Sequence, residues 1–261
     1  MPYAIDAHAH CGIQDRSPPQ SFEDYAALAR GSGIAKVVMF PPVFEIYDRF
    51  NPRFEDDASW RERRGLAHEY LLSVGRADLE VIPYFFVWND FAMERMDPRH
   101  KGIKWHRHAE EPRYRYEDPR CREMLQLIQD RQLPVVLEEE LENTVSFIRE
   151  LAPGALVIIP HLGGLNGGYR AVASAGLWEL PRVYADTSLA SRGEILDYLK
   201  RYGEDRLLFG SDFPFGHPRR ELDKICDLDL PGDSLEKILH GNIRRLLGLD
   251  EDLKQPFNFE A

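Results

Sequence analysis

Two histidines one residue apart, His8 and His10, stand in the apolar opening run IDAHAH. Alternate side chains of a β-strand share a face, so both imidazoles and Asp6 are expected to point one way while Ala7 and Ala9 take the other. The spacing aims two neutral nitrogen ligands at one point. By itself an H-x-H is also what an ordinary polar strand end looks like, so its weight depends on what converges on it. Other residues able to bind a metal lie at or just past apolar runs farther along: His106 after KGIKW, Glu138 after LPVVL, His161 after ALVIIP and Asp212 after RLLFG. Buried charged groups at strand ends are costly unless paired or bound to a cation, so a shared metal accounts for the set better than separate accidents do.

The elements that must position these residues alternate along the chain. Short apolar or β-branched runs occur at YAID, AKVVMF, EVIPYFFV, KGIKW, LPVVL, ALVIIP, RVYAD and RLLFG. Between them lie helical patterns, the first opening on Ser21 and Asp24 in a capping-box arrangement and closing on Gly31. Others are DDASWRERRGLAHEYLLSVG, DPRCREMLQLIQDRQ, NTVSFIRELAPG, SRGEILDYLKRYG and SLEKILHGNIRRLLGL. Repeated β-α units imply a parallel sheet, and eight strand candidates is the number that closes an α/β (β/α)8 TIM barrel, regular or distorted. In a barrel the carboxyl ends of all strands meet at one mouth. No linker or change of composition divides residues 1–261, so a single domain is expected. A doubly wound open sheet is the alternative, but no G-x-G-x-x-G follows the first strand.

Composition narrows the function classes. A chain of 261 residues that is 43% hydrophobic can build a sizeable core. The 44 acidic against 33 basic residues give a net charge of −11, which argues against nucleic acid or an anionic membrane surface as partner. Three cysteines without C-x-x-C spacing cannot all pair, which suits a reducing cytoplasm. Neither a secretory signal nor an apolar run of about 18 residues is present, so a soluble protein acting on a small-molecule substrate is expected. The oligomeric state is left open, a homo-oligomer included.

The segments IDAHAHCG, HKGIKWH, IIPHLGG, VYADTS, LLFGSDFPFG and ILHGNIRRLLGL, in that order, resemble the signature segments of the amidohydrolase superfamily. The likeness is to the amidohydrolase-related branch, which also contains decarboxylases of the aminocarboxymuconate-semialdehyde type, and it covers nearly the whole chain. It implies that His8 and His10 are metal ligands, that Asp212 binds metal or accepts a proton from the bound water, and that His161 is the sixth-strand histidine. It implies a divalent cofactor, zinc first with manganese or iron as alternatives, as one ion or two.

One position departs from that pattern. Relatives read P-V-x-x-H on the fifth strand, whereas LPVVLEEE puts Glu138 in the histidine's place. A carboxylate also binds zinc, manganese or iron, with a harder, more negative ligand set. Glu138 is thus a ligand, a bridge between two ions with His161 and His106 holding the second, or a solvated first residue of the next helix. Lys104 and His106 share a strand face, so both could bind substrate, or Lys104 could neutralise Glu138. Asp6 either orients a histidine or is a buried strand aspartate, and Asp186 is either structural or substrate-binding. The segment PPVFEIYDRFNPRFEDD is a lid over an anionic or aromatic substrate, or a packed excursion, and Cys11 reads as a small core residue. The expected function is hydrolysis of an ester, lactone or amide by metal-activated water, with Asp212 taking the proton and His161 either a metal ligand itself or the group that polarises the carbonyl or supports the leaving group. A non-oxidative decarboxylase is the first alternative, and a barrel that binds a small molecule without chemistry is the second.

Overall fold

The computed structural model describes residues 3–12 and 20–249. Eight parallel strands follow one another in chain order: β1 (Ala4–His10), β2 (Ile34–Phe40), β3 (Glu80–Phe86), β4 (Gly102–His106), β5 (Val135–Glu138), β6 (Val157–Ile159), β7 (Val183–Asp186) and β8 (Leu207–Leu208). Each falls on one of the apolar runs, as expected of a parallel sheet covered on both faces. The last strand meets the first through backbone bonds: Ala7 N donates to Phe209 O at 2.8 Å, Asp212 N to His8 O at 2.7 Å and His10 N to Phe213 O at 2.7 Å. The architecture is the (β/α)8 TIM barrel. Ile5, Ala7, Val38, Phe40, Tyr84 and Ile158 belong to the apolar cluster that fills its interior. A larger cluster lies between the sheet and the helices, and Cys11 is buried in it.

Helix α1 (Phe22–Ala29) begins with the expected capping box of Ser21 and Asp24, and α6 (Arg192–Tyr202) repeats it with Ser191 and Glu194. Between them come α2 (Ala58–Ser73), α3 (Pro119–Asp130), α4 (Leu141–Ser146) and α5 (Tyr169–Ser174). Helices α7 (Pro218–Cys226), α8 (Gly232–Glu236) and α9 (Asn242–Leu247) follow β8. The single helix expected over SLEKILHGNIRRLLGL is broken by a π turn at Lys237–Gly241, and α4 runs into another at Phe147–Leu151. No helix among the described residues is long and apolar enough to cross a membrane.

The barrel departs from regularity between β3 and β4, where the described chain has one 3₁₀ turn, Met93–Arg95, in place of an α-helix. Buried Arg64 of α2 ties this connection down. Its guanidinium donates to Asp56 Oδ2 and Asp90 Oδ2 at 2.6 Å each and to Ile46 O at 2.9 Å. One cation thereby fixes both the segment after β2, part of which walls the barrel mouth, and the loop after β3.

His68, also on α2, accepts the Phe86 N–H at Nε2, 3.0 Å away, so its neutral form is built into the fold. Burial foremost, with His100 and Arg64 beside it, lowers its pKa to about 3. A depressed folded value means stability present above pH 6.5 and lost as pH falls towards 3. At pH 5 the expected loss from this residue is about 2 kcal/mol. His68→Gln, which does not titrate, should show a smaller fall in Tm between pH 6.5 and 5 than wild type. Parallel curves would contradict the prediction.

Candidate metal centre

His8 and His10 do point into the barrel mouth, but Asp6 does not. The β1–β2 register shifts between Asp6 and Ala9, and this irregularity breaks the alternation that would have put Asp6 beside them. Asp6 instead faces the helix layer, accepting from Tyr25 Oη at 2.8 Å, Ser211 N at 2.9 Å and His8 N at 3.1 Å. It holds the ends of β1 and β8 together. The residue that orients His8 is Asp186, at the end of β7, whose Oδ2 lies 2.8 Å from His8 Nδ1. Its other oxygen accepts from His161 N and Ser188 N, each at 3.0 Å, and from Ser188 Oγ. Ser188 Oγ in turn lies 2.8 Å from His161 Nδ1.

These partners assign the tautomers. A carboxylate oxygen accepts only, so the His8 Nδ1 proton is the one donated to Asp186, and in neutral His8 the Nε2 lone pair is bare. Ser188 gives its hydroxyl proton to Asp186 and therefore accepts from His161 Nδ1, which likewise bares His161 Nε2. His8 Nε2 faces Asp212 Oδ1 at 3.3 Å, and His10 Nε2 lies 3.3 Å from the same oxygen. His161 Nε2 is 3.9 Å from Asp212 Oδ2. Both His8 Nε2 and Asp212 Oδ1 are buried without a hydrogen-bond partner. Two acceptors in contact require a positive charge between them, and the donor set of imidazoles and one carboxylate is that of a divalent transition ion. Without an ion a proton has to fill that place. Burial and Lys104 oppose it, but Asp186 and Asp212 outweigh them and push the His8 pKa up to about 9. His10, where burial dominates, is lowered to about 4. Asp212 is held ionised well below the carboxylate range, since His10 and His8 outweigh its burial.

A second network adjoins the first. Glu138, at the end of β5, is 2% exposed, so it is not a solvated helix start. Its Oε2 accepts from Lys104 Nζ at 3.0 Å, while Oε1 lies 2.8 Å from both His106 Nε2 and His108 Nε2. Arg49 donates to His108 Nδ1 at 3.0 Å, which leaves the proton of neutral His108 on Nε2, directed at Glu138. The nearest approach of Glu138 to the first group is 3.7 Å, to His161 Nε2. His106 and Lys104, despite opposing burial, hold the Glu138 carboxyl well below its ordinary range. Lys104 is fully buried against the Phe40 ring, and its place fits neutralisation of Glu138 rather than contact with substrate. His106 does reach the cavity wall.

The cavity above these groups has a volume of about 270 Å³, with His10, His161 and Asp212 at its buried end. Pro42, Val43, Phe44 and Arg49 from the segment after β2 line it, while Tyr47 of the same segment is buried and stacks on Trp88. That segment is therefore part wall and part packing. Four residues around the site have left-handed backbone: His161 (φ 55°), Leu162 (φ 49°), Leu189 (φ 55°) and Asp212 (φ 52°). Such conformations cost of order 1–3 kcal/mol each and persist where surroundings impose them. At Gly210 the main chain passes close to the site: a Cβ there would lie 3.1 Å from His8 Cβ and 3.3 Å from Asp186 Cγ.

The structure thus brings His8, His10, His161 and Asp212 together and sets Glu138 next to them with Lys104 and His106. Sequence reasoning left Asp186 undecided and gave His108 no place in the site. His106 and His108 form a second H-x-H at a strand end, the same signal that singled out His8 and His10. Asp186→Asn can present an amide N–H to His8 Nδ1 and force the wrong tautomer. Metal affinity should then fall about 10- to 100-fold, read by competition with a chromophoric chelator. An unchanged affinity would remove Asp186 from this role.

Comparison with known proteins agrees with the geometry. The family model described as Amidohydrolase matches residues 5–249. No curated protein matches. A solved structure from Pseudomonas putida, provisionally named a 2-pyrone-4,6-dicarboxylic acid hydrolase, is 19% identical over 95% of this chain and 98% of its own, with a TM-score of 0.66. The 2,6-dihydroxybenzoate decarboxylase from Rhizobium is 15% identical over 96% of this chain and 100% of its own, TM-score 0.68. A zinc-bound amidohydrolase from Burkholderia multivorans is 15% identical over 95% of this chain and 99% of its own, TM-score 0.67. At these identities the likeness is one of fold.

Proposed function

Because the chain belongs to the amidohydrolase family, we propose that it is a metal-dependent hydrolase of a small ester, lactone or amide, its ion held by His8, His10, His161 and Asp212. The observation that carries this reading is the buried, unpartnered pair His8 Nε2 and Asp212 Oδ1, facing each other at 3.3 Å. A divalent cation bound there, zinc before manganese or iron, acidifies water towards a pKa of about 7 and polarises a carbonyl. Glu138 keeps its oxygens for Lys104, His106 and His108 and forms the anionic wall beside the ion.

The residues divide the remaining work. Asp212 Oδ1 turns to His8 and His10, which leaves Oδ2 on the His161 side to take the proton of the attacking water. The water oxygen joins the acyl carbon, the bond to the leaving atom breaks, and the proton on Oδ2 passes to that atom. Asp186 and Ser188 keep His8 and His161 in the tautomers this requires.

A metal-dependent decarboxylase is the second reading, favoured by Arg49 on the cavity wall, where a substrate carboxylate would find a cation. Product analysis in ¹⁸O-labelled water separates the two. Label in the product of an ester, lactone or amide panel supports hydrolysis. Release of CO₂ from carboxylated substrates without label shifts the assignment to the lyase. Failure of the purified protein to retain stoichiometric metal, with neither reaction detected, points to a barrel that binds a small molecule without chemistry.

A further inference from the structure

We propose that Leu189 is a specificity-determining residue, an apolar stop that takes the hydrocarbon part of an acyl substrate whose carbonyl lies at His161 and Asp212. The word substrate rests on the hydrolase reading; the binding preference does not.

Leu189 follows β7 and holds φ 55°, a region that suits glycine or asparagine far better than leucine. The chain imposes this conformation through α7. Glu221 Oε2 accepts the Leu189 N–H at 3.1 Å, and Lys224 Nζ donates to Glu221 Oε2 at 2.5 Å. The same ammonium donates to Thr187 O at 3.0 Å and Ala190 O at 2.9 Å, so the chain is fastened shortly before and just after Leu189. Packing of the side chain does not explain the expense. Leu189 is 48% exposed, yet it lines the cavity that ends on Asp212.

Leu165 at 46% and Phe215 at 57% exposure line the same cavity, giving it an apolar outer collar above a polar end. Large apolar side chains left half in water around a small cavity gain most when a ligand's own apolar surface covers them. The polar end takes the reacting carbonyl. The collar therefore takes an alkyl or aryl body, and a polar or charged group at that depth is disfavoured.

The test is binding of butyrate, hexanoate and octanoate to zinc-reconstituted protein by calorimetry, together with kcat/KM for p-nitrophenyl acetate and hexanoate. In wild type, affinity should rise about three- to fourfold per added methylene. In Leu189→Ala that gain should be lost, Leu189→Met should keep it, and the hexanoate to acetate ratio of kcat/KM in Leu189→Ala should drop about a hundredfold. Leu189→Gly should lose the gain as well, with no fall in Tm, because glycine accepts the left-handed backbone. A flat chain-length series in wild type, or a Leu189→Ala series parallel to it, overturns the assignment. So does a dimer by sedimentation that Leu189→Ala dissociates without altering the series, which would make the collar an interface. A retained binding series with no turnover of either ester, and no ¹⁸O label in the lactone and amide panel, leaves Leu189 in its role and sinks the hydrolase reading instead.

Discussion

Chelation should reduce turnover on the order of a thousandfold or more, and a divalent ion added back should restore it, because unassisted water has a pKa near 15.7 rather than about 7. In the His8→Ala, His10→Ala double variant restoration should fail at ordinary metal concentrations. The two sites are not equivalent. His8 also bonds Asp186, so its loss leaves two buried carboxylates short of a partner, whereas His10 Nε2 meets only Asp212. His10→Ala is therefore the cleaner variant, expected to fold, to bind metal weakly and to be inactive. Full activity in metal-free wild-type protein would eliminate the mechanism. Loss of the folded state in His10→Ala, with metal affinity intact in whatever folds, would assign that histidine to the core.

Glu138→Gln should destabilise the protein by about 3–5 kcal/mol in urea unfolding, because it leaves the ammonium of Lys104 buried without its anion. Adding Lys104→Met removes the stranded charge, and the double variant should recover most of that loss. Metal per chain in the double variant then decides the role of Glu138. An unchanged stoichiometry and affinity is expected if its oxygens serve Lys104, His106 and His108. A fall would make it a donor to the ion, in which case Glu138→His should retain metal better than Glu138→Gln. Glu139→Gln is the control for metal content: Glu139 points to the other face, where its Oε2 accepts from Arg107 at 3.0 Å and its Oε1 from Tyr116 at 3.0 Å.

Patterns that depend on local periodicity were legible in the chain. The eight apolar runs became the eight strands, and Ser21 with Asp24 became a capping box, since both signals lie within a few residues of one another. What depended on a break in periodicity was not. The β1 irregularity sent Asp6 to the helix layer, and π turns extended α4 and interrupted the last helix. None of these has a residue type that marks it. The site divides the same way. His8, His10, His161 and Asp212 could be read from strand ends, whereas the tie of Asp186 to both His8 and Ser188 joins the end of β7 to β1 and to the following turn, a relation that spacing does not encode. Lys104 was legible as a partner for Glu138, and only its burial against Phe40 decided between that and a substrate contact.

The bonds that seal β8 to β1 also set when the centre can exist during synthesis. Asp212 N donates to His8 O, joining residues about 200 positions apart, so the proposed ligand set draws on β1, on the turn after β6 and on the chain just past β8. A chain emerging from the ribosome displays His8 and His10 early but lacks their carboxylate until β8 has been made. Closing so long a loop is the slow, late event in folding a sheet of this topology. On the proposed assignment, the ion's donor set is complete only after ring closure and is incomplete in every shorter nascent chain.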